Sequence, residues 1–502
     1  MLADALQAVV SSPSLLWASF LGVLLGTVVG VLPGLGPVAT MALLLPFTFG
    51  LDPLAGIVLL CGVYYGAMYG GSTTSILFRV PGETSSLMTS IDGYELSRQG
   101  KAGLALFVSA VGSFVAGTMG VVGLSYLAPP LARLALAFGP YEFLMIGLLG
   151  LTVLANLMGG SPLRNLAMAL AGMLLTMVGL DTLSGQVRFT FGLSFLRGGF
   201  EFLPVVMGLY GISELIGMAA RGERVTQVAK VRFRELYPSW HEIRPTLGSM
   251  ARGGVVGFLV GLLPGPATSL ASFVAYAAEK ASSRFKELFG KGSPQAVAAV
   301  ESANNSAVGG ALVPLLALGI PFSPATAVLL SGFMIHGLSP GPLMLQQSPG
   351  MFWTIVASMY VGNVICVVFN LPLVGLFAKV MSIPRFILVP SIVAICAVGA
   401  YSVRGTMFDV WVMLAAGVAG VLLRRSGQSP LPLAIGMILG PIIDSSLRQS
   451  LIMSDGKLTV FLANPLSAAL TGLCLLGIGY SLYGAVVQAR RLRAEAAADV
   501  TE

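Results

Sequence analysis

Apolar residues dominate this chain in long runs, and the lengths of those runs set the expected fold. A helix needs about 20 residues to cross the hydrocarbon core of a bilayer. Runs of that order lie near 54–78, 102–128, 140–157, 163–181, 200–219, 297–320, 351–380, 386–404, 406–423, 430–445 and 460–487. Two further stretches, 15–50 and 250–280, are each interrupted by Leu-Pro-Gly. The second has too few residues for two complete crossings, so both are expected to be re-entrant hairpins. The pattern predicts an all-α polytopic membrane protein.

The interruptions recur in order. Gly26-Thr-Val-Val-Gly30-Val-Leu32-Pro33-Gly34 matches Gly257-Phe-Leu-Val-Gly261-Leu-Leu263-Pro264-Gly265 at an offset of 231 residues, and Gly70-Gly71 recurs as Gly309-Gly310 at an offset of 239. Two paired landmarks in the same order indicate an internal duplication. Loop charge then orients the copies, because Lys and Arg collect on the cytoplasmic side of short loops. The connection at 48–53 carries no cation and the next carries Arg79, Arg98 and Lys101. In the second copy the order reverses: Lys280, Arg284, Lys286 and Lys291 come first, and 338–350 carries none. Equivalent loops on opposite sides define an inverted-topology repeat.

The expected organisation is a first repeat at 1–219, a cytoplasmic connector at 220–247, a second repeat at 248–445, and a final spanning helix with a cytoplasmic tail at 446–502. Each repeat has one hairpin and about five spans. The connector (Arg221, Arg224, Lys230, Arg232, Arg234, Arg244), Lys379, Arg385, Arg424, Arg425 and the tail arginines Arg490, Arg491 and Arg493 fall on the cytoplasmic side. The N-terminus then lies in the periplasm and the C-terminus in the cytoplasm. Arg188 and Arg197 fall outside and do not fit the charge rule.

Composition narrows the function. Of 502 residues, 56% are hydrophobic and 10% charged, with a mean hydropathy of +0.88, where a soluble domain carries roughly 25% charge. The net charge of +7 sits in a few loops and the tail, so it reports orientation and not nucleic-acid binding. Residues 1–14 lack Lys and Arg, so the basic start of a cleavable signal peptide is missing and the first apolar stretch is expected to stay attached. Cys61, Cys366, Cys396 and Cys474 stand singly in apolar runs, and His241 and His336 lie in different segments. That leaves little material for a zinc site or a Ser/His/Asp triad, and the chain is not expected to be an enzyme.

A Leu-Pro-Gly break within the membrane frees backbone groups that lipid cannot satisfy, so its tip must be buried in protein or line a wet cavity. Helix resuming after the break presents N–H groups that favour an anion, which makes Gly34, Leu35, Gly36, Thr40, Gly265, Thr268 and Ser269 candidates for a carboxylate. Free carbonyls at Leu32, Pro33, Leu263, Pro264, Gly71 and Gly310 are candidates for a sodium ion. The alternative for each break is a kink or a close-packing notch. Ser72, Thr73, Thr74 and Ser75 follow Gly70-Gly71 and offer hydroxyls to either ligand, unless they bond back to their own helix. Asn304 and Asn305 present donor and acceptor groups inside an apolar span, where polar side chains are expensive; interhelical bonding is their alternative. Glu301 is open between a solvated helix end and a buried group. Arg404 and Asp409 are expected to pair at an interface, and Trp17, Trp240, Trp353 and Trp411 to act as interface anchors.

The motifs Gly-Val-Leu-Pro-Gly-Leu-Gly-Pro (30–37), Tyr-Gly-Gly-Ser-Thr-Thr-Ser-Ile-Leu (69–77), Asp92-Gly93-Tyr94, Glu-Ser-Ala-Asn-Asn-Ser-Ala-Val-Gly-Gly (301–310) and Leu-Gly-Ile-Pro (318–321) closely resemble the large membrane subunit of the bacterial tripartite tricarboxylate transporters, over nearly the whole chain. The resemblance implies secondary transport of tricarboxylates such as citrate, or of other small carboxylates, across the inner membrane. It implies a small membrane subunit, a periplasmic solute-binding protein and an ion gradient, usually sodium, in place of ATP. Two departures fall where a pocket would be lined: Pro266-Ala267-Thr268 lacks the family's second glycine, and Phe322 stands where glycine is more usual. Two rivals are a stand-alone carboxylate transporter and an intramembrane enzyme, and the spans hold no Asp pair or Ser/His pairing placed for the latter.

Overall fold

The computed structural model describes all residues except 33–35, 80, 158–160, 182–183, 221–235, 375, 377–384, 463 and 480–502. Pro33, Gly34, Leu35, Arg221, Arg224, Lys230, Arg232, Arg234, Lys379, Arg490, Arg491 and Arg493 therefore lie outside the described residues.

Helices account for nearly all of the regular structure. In chain order they are α1 (Leu2–Ser11), α2 (Pro13–Gly30), α3 (Pro37–Leu44), α4 (Pro53–Phe78), α5 (Leu87–Arg98), α6 (Ala102–Ala135), α7 (Pro140–Leu157) and α8 (Pro162–Thr176). A two-stranded hairpin, β1 (Gly179–Leu180) and β2 (Val187–Arg188), precedes α9 (Phe202–Val206), which a π turn joins to α10 (Ser213–Ala220). Then come α11 (Trp240–Ile243), α12 (Leu247–Gly261), α13 (Ala267–Ser282), α14 (Pro294–Leu318), α15 (Pro324–Ile335), α16 (Pro342–Gln347), α17 (Pro349–Asn370), α18 (Arg385–Arg404), α19 (Met407–Arg425) and α20 (Leu431–Met453). The last described helix is α21 (Pro465–Gly479). Six of the described helices (α2, α4, α6, α17, α19 and α20) are long and apolar enough to cross a membrane. The chain is an all-α polytopic membrane protein.

Both chain breaks fall where expected. α2 stops at Gly30 and α3 starts at Pro37; α12 stops at Gly261 and α13 starts at Ala267. The long helices that follow each break start on chemistry legible in the sequence. Asp52 accepts from the amides of Leu54 and Ala55 at the head of α4, with Pro53 in the first turn. Ser293 does the same for Ala296 at the head of α14, before Pro294. These side chains satisfy amides that have no partner inside the helix, and proline fits there because its missing N–H is not needed.

The chain divides into two compact units, one of residues 1–135 and 206–421 and one of 136–205 and 422–502. In the first, α4 and α14 are the buried centre: α14 is covered from Ala296 to Ala317 without interruption. Glycines permit that burial. A Cβ on Gly26 or Gly30 would stand 2.4 Å from the carbonyl oxygen of Val63 or Ala67, and one on Gly66 or Gly70 would stand 2.2 or 2.4 Å from that of Val23 or Thr27. On α12 the same spacing recurs, with Gly253, Gly257 and Gly261 at 2.3, 2.2 and 2.5 Å from Ala299, Ala303 and Ala307. Without a hydrophobic force between helices in lipid, such close backbone approach supplies the dispersion contact that holds them. By packing role Gly70, against Gly30, corresponds to Gly310, against Gly261. That spacing (310 − 70 = 240) is one residue off the pairing read from sequence.

The second unit packs α8 on α20 in the same manner, Gly172 against Leu433 and Gly436 against Ala169. Arg188 there pairs with Asp181 at 2.7 Å and with Asp444 at 3.3 Å, and Arg448 pairs with Asp181 at 2.9 Å. A cation neutralised in this way carries no free signal of orientation, so Arg188 does not weigh in a count of loop charges. Arg404 and Asp409 pair as expected, with Asp409 fully buried. The four cysteines are buried and free.

Candidate functional site

Glu301 sits inside the buried run of α14 with no exposed surface, which decides between the two readings in favour of a buried group. Its Oε2 accepts from Ser72 Oγ of α4 at 2.6 Å and lies 3.5 Å from Ser113 Oγ of α6, and its Oε1 accepts from Thr89 Oγ1 of α5. Three helices thus present hydroxyls to one carboxylate. No Lys or Arg among the described residues pairs with it. An ionised carboxylate in such a place is costly unless positive charge joins it, which marks the position as functional.

The asparagines complete the cluster. Asn305 Nδ2 stands 2.8 Å from Ser113 Oγ, 3.1 Å from the Glu301 carbonyl and 2.6 Å from Asn304 Oδ1. Asn304 Nδ2 points toward the Glu301 carboxylate but makes no hydrogen bond of normal geometry, and Asn305 Oδ1 and Ser306 Oγ also have no partner. Buried amide groups without partners are rare in a packed core.

The remaining hydroxyls behave differently. Thr73, Thr74 and Ser75 donate to the carbonyls of Tyr69, Gly71 and Gly71 on their own helix, the alternative that the sequence left open. Thr40 likewise donates to Gly36 O at 3.0 Å. Of the four, only Ser72 also reaches a side chain of another helix, Glu301 of α14.

A segment that the sequence did not single out ties the hairpins together. After α4 the chain doubles back through 81–86, so that Gly82 lies against Gly30 and Gly71, and the Glu83 side chain lies against Gly36 and Gly71. Thr84 Oγ1 is 2.6 Å from Ser269 Oγ at the start of α13. One loop therefore touches the broken region of each hairpin. Glu83 is half-buried and Thr84 exposed, so this side of the cluster is open while the Glu301 side is closed.

The second break has its own anchor: the Gly265 amide donates to the Phe322 carbonyl at 2.8 Å. Gly265 there has φ +137°, a conformation open to glycine and strained for other residues. Leu32 is buried, Leu263 is exposed, Pro264, Thr268 and Ser269 are half-buried, and Gly310 serves the α12–α14 packing. Asp92, from a motif of the resemblance, accepts at Oδ1 from the amides of Gly290, Gly292 and Ser293 and at Oδ2 from Tyr276. It is a fully buried latch between α5 and the head of α14.

Known proteins agree with this picture. The model of the tripartite tricarboxylate transporter TctA family matches residues 16–435. A protein of Agrobacterium vitis, described as an uncharacterized 52.8 kDa protein in the TAR-I ttuC' 3' region, is 45% identical over 457 residues, 91% of each chain. A second from the same organism, described as lying in the TAR-II ttuC' 3' region, is 43% identical over 219 residues, 44% of this chain and 90% of its own. No solved structure matches. A polytopic helical chain matched over most of its length by this family model belongs to the TctA family of tripartite tricarboxylate transporters.

Proposed function

We propose that this chain is the transport subunit of a binding-protein-dependent, sodium-coupled secondary transporter for tricarboxylates or other small carboxylates. It works in the bacterial inner membrane with a small membrane subunit, and a periplasmic solute-binding protein delivers the substrate. The N-terminus faces the periplasm and the C-terminus the cytoplasm. Transport proceeds by alternating access, with the anion received between the two broken hairpins and sodium as the companion ion. The matching glycine spacing of α2 with α4 and of α12 with α14 supports reading 1–219 and 248–445 as duplicated halves of inverted topology joined by 220–247.

The observation that carries this reading is the buried cluster of Glu301, Ser72, Thr89, Ser113 and two asparagines with unpartnered amide atoms, beside a loop that touches both hairpins. Replacing Asn304 and Asn305 together by Ala, with the variant present at normal membrane levels, abolishes carboxylate uptake into proteoliposomes that hold the whole complex and its binding protein. Wild-type uptake by that variant would remove the asparagines from the mechanism. Uptake by this chain alone would favour a stand-alone transporter.

A further inference from the structure

We propose that Glu301 is the seat of the coupling cation: its carboxylate, the hydroxyl oxygens of Ser72, Thr89 and Ser113, and an amide oxygen of the adjacent asparagines form an all-oxygen site for one monovalent metal ion. The proposal rests on the transport reading and relocates the ion from the main-chain carbonyls at the chain breaks to side chains on α4, α5, α6 and α14.

The hydroxyl hydrogens at this site are too few for the oxygens they face. Ser72 has one hydroxyl hydrogen, yet its Oγ lies 3.0 Å from Met68 O and 2.6 Å from Glu301 Oε2. If the hydrogen goes to Met68, two oxygens face each other with nothing between them. Ser113 also has one hydrogen and two acceptors, the carbonyl and the carboxylate of Glu301 at 3.4 and 3.5 Å. Asn305 Nδ2 has two hydrogens and three acceptors within 3.1 Å. The hydroxyl of Ser109 adds a further oxygen beside the carboxylate. A cluster rich in oxygen and poor in hydrogen is completed by a cation.

The unpartnered amide atoms give the independent sign of a ligand. Asn305 Oδ1 is fully buried and has no hydrogen-bond partner, and the buried Asn304 Nδ2 has none of normal geometry. The two ends of an amide are interchangeable by a turn about χ2. Turning Asn305 brings its carbonyl oxygen toward Ser113 and the Glu301 cluster, where it can ligate a cation.

Ligand type and charge select the ion. Carboxylate, hydroxyl and amide oxygens are hard donors suited to a hard cation. One carboxylate balances one positive charge, whereas a divalent ion would leave net charge in the hydrocarbon layer. A proton would satisfy a single oxygen pair and leave the others facing each other, so the arrangement suits sodium.

The test is binding of radioactive sodium to the purified complex of this chain with its membrane partner in nanodiscs, alongside thermal unfolding in sodium-free buffer. Wild type binds sodium saturably, and Glu301→Gln weakens binding about tenfold or more while unfolding no earlier than wild type. Glu301→Asp retains binding at higher sodium. Thr89→Val and Ser72→Ala, which keep the carboxylate, each weaken binding and carry the test should Glu301→Gln not fold. Unchanged sodium affinity in Glu301→Gln, or in both hydroxyl variants, would overturn the proposal. So would a wild type that binds no sodium and takes up carboxylate under a pH gradient alone. Failure of the transport reading is seen separately: a wild type that binds sodium through Glu301 but moves no carboxylate under any gradient refutes that reading and leaves the ion site standing.

Discussion

One of the closest helix contacts in the first unit makes a quantitative prediction. A Cβ at Gly66 would stand 2.2 Å from Val23 O, and real Cβ atoms essentially never approach closer than 3.0 Å. Gly66→Ala therefore forces α2 and α4 apart by at least 0.8 Å (3.0 − 2.2). Overpacking of this kind costs about 1–3 kcal/mol, and part of that is offset because Ala favours helix over Gly by about 1 kcal/mol. Gly472→Ala on α21 supplies the control, since that glycine has nothing within 4 Å and the substitution gains the same helix preference without the clash. The difference between the two variants isolates the clash. The four buried cysteines allow unfolding to be followed with a thiol-reactive dye and no added probe. Gly66→Ala unfolds at lower temperature than Gly472→Ala. It also loses uptake, because a 0.8 Å displacement carried six residues along α4 to Ser72 would stretch its 2.6 Å bond to Glu301 to about 3.4 Å and weaken it. Equal unfolding and equal uptake in the two variants would refute the packing argument.

Other substitutions separate roles that the sequence alone leaves merged. Ser72→Ala loses most uptake, whereas Ser75→Ala, whose hydroxyl serves only Gly71 O at 2.9 Å, stays within about twofold of wild type; transport assays at matched protein levels decide. Arg404→Ala leaves the fully buried Asp409 without its cation and lowers stability by about 3–5 kcal/mol, seen as early unfolding that Arg404→Lys partly restores. Asp92→Asn weakens charge-assisted bonds to the amides of Gly290, Gly292 and Ser293 and costs about 1–3 kcal/mol by the same assay.

Much of the fold was legible because lipid imposes a single rule on length and polarity. The run at 54–78 became Pro53–Phe78 and the run at 140–157 became Pro140–Leu157, with proline at each start. α20 runs on to Met453, eight residues past its expected end, because Asp444 and Arg448 cancel each other's charge within an ion-pair cluster. Hydropathy cannot register such pairing. α5 escaped notice for a related reason: it is a polar helix, and its buried Thr89 and Asp92 are satisfied by partners some two hundred residues away in sequence.

The site was legible at its motifs and hidden at its loop. Polar residues inside an apolar run, Ser72, Asn304 and Asn305, announce themselves by their cost, and Glu301 resolved once its burial was known. Glu83 and Thr84 sit in a short polar connection that reads as an ordinary turn, and only the doubling back of 81–86 brings them to both hairpins. The available signal was Pro81-Gly82, a turn dipeptide set between a buried span and a polar helix.

The central claim is that the loop joining the two hairpins lines the path of the carboxylate. Its most direct test is the rate at which maleimide modifies Thr84→Cys in the full complex. Thr84 is exposed and the four native cysteines are buried, so the introduced thiol reports alone. Saturation with a transported carboxylate and sodium is predicted to slow labelling severalfold, and sodium without carboxylate to slow it less. A labelling rate indifferent to substrate, in a variant that still transports, would contradict the account.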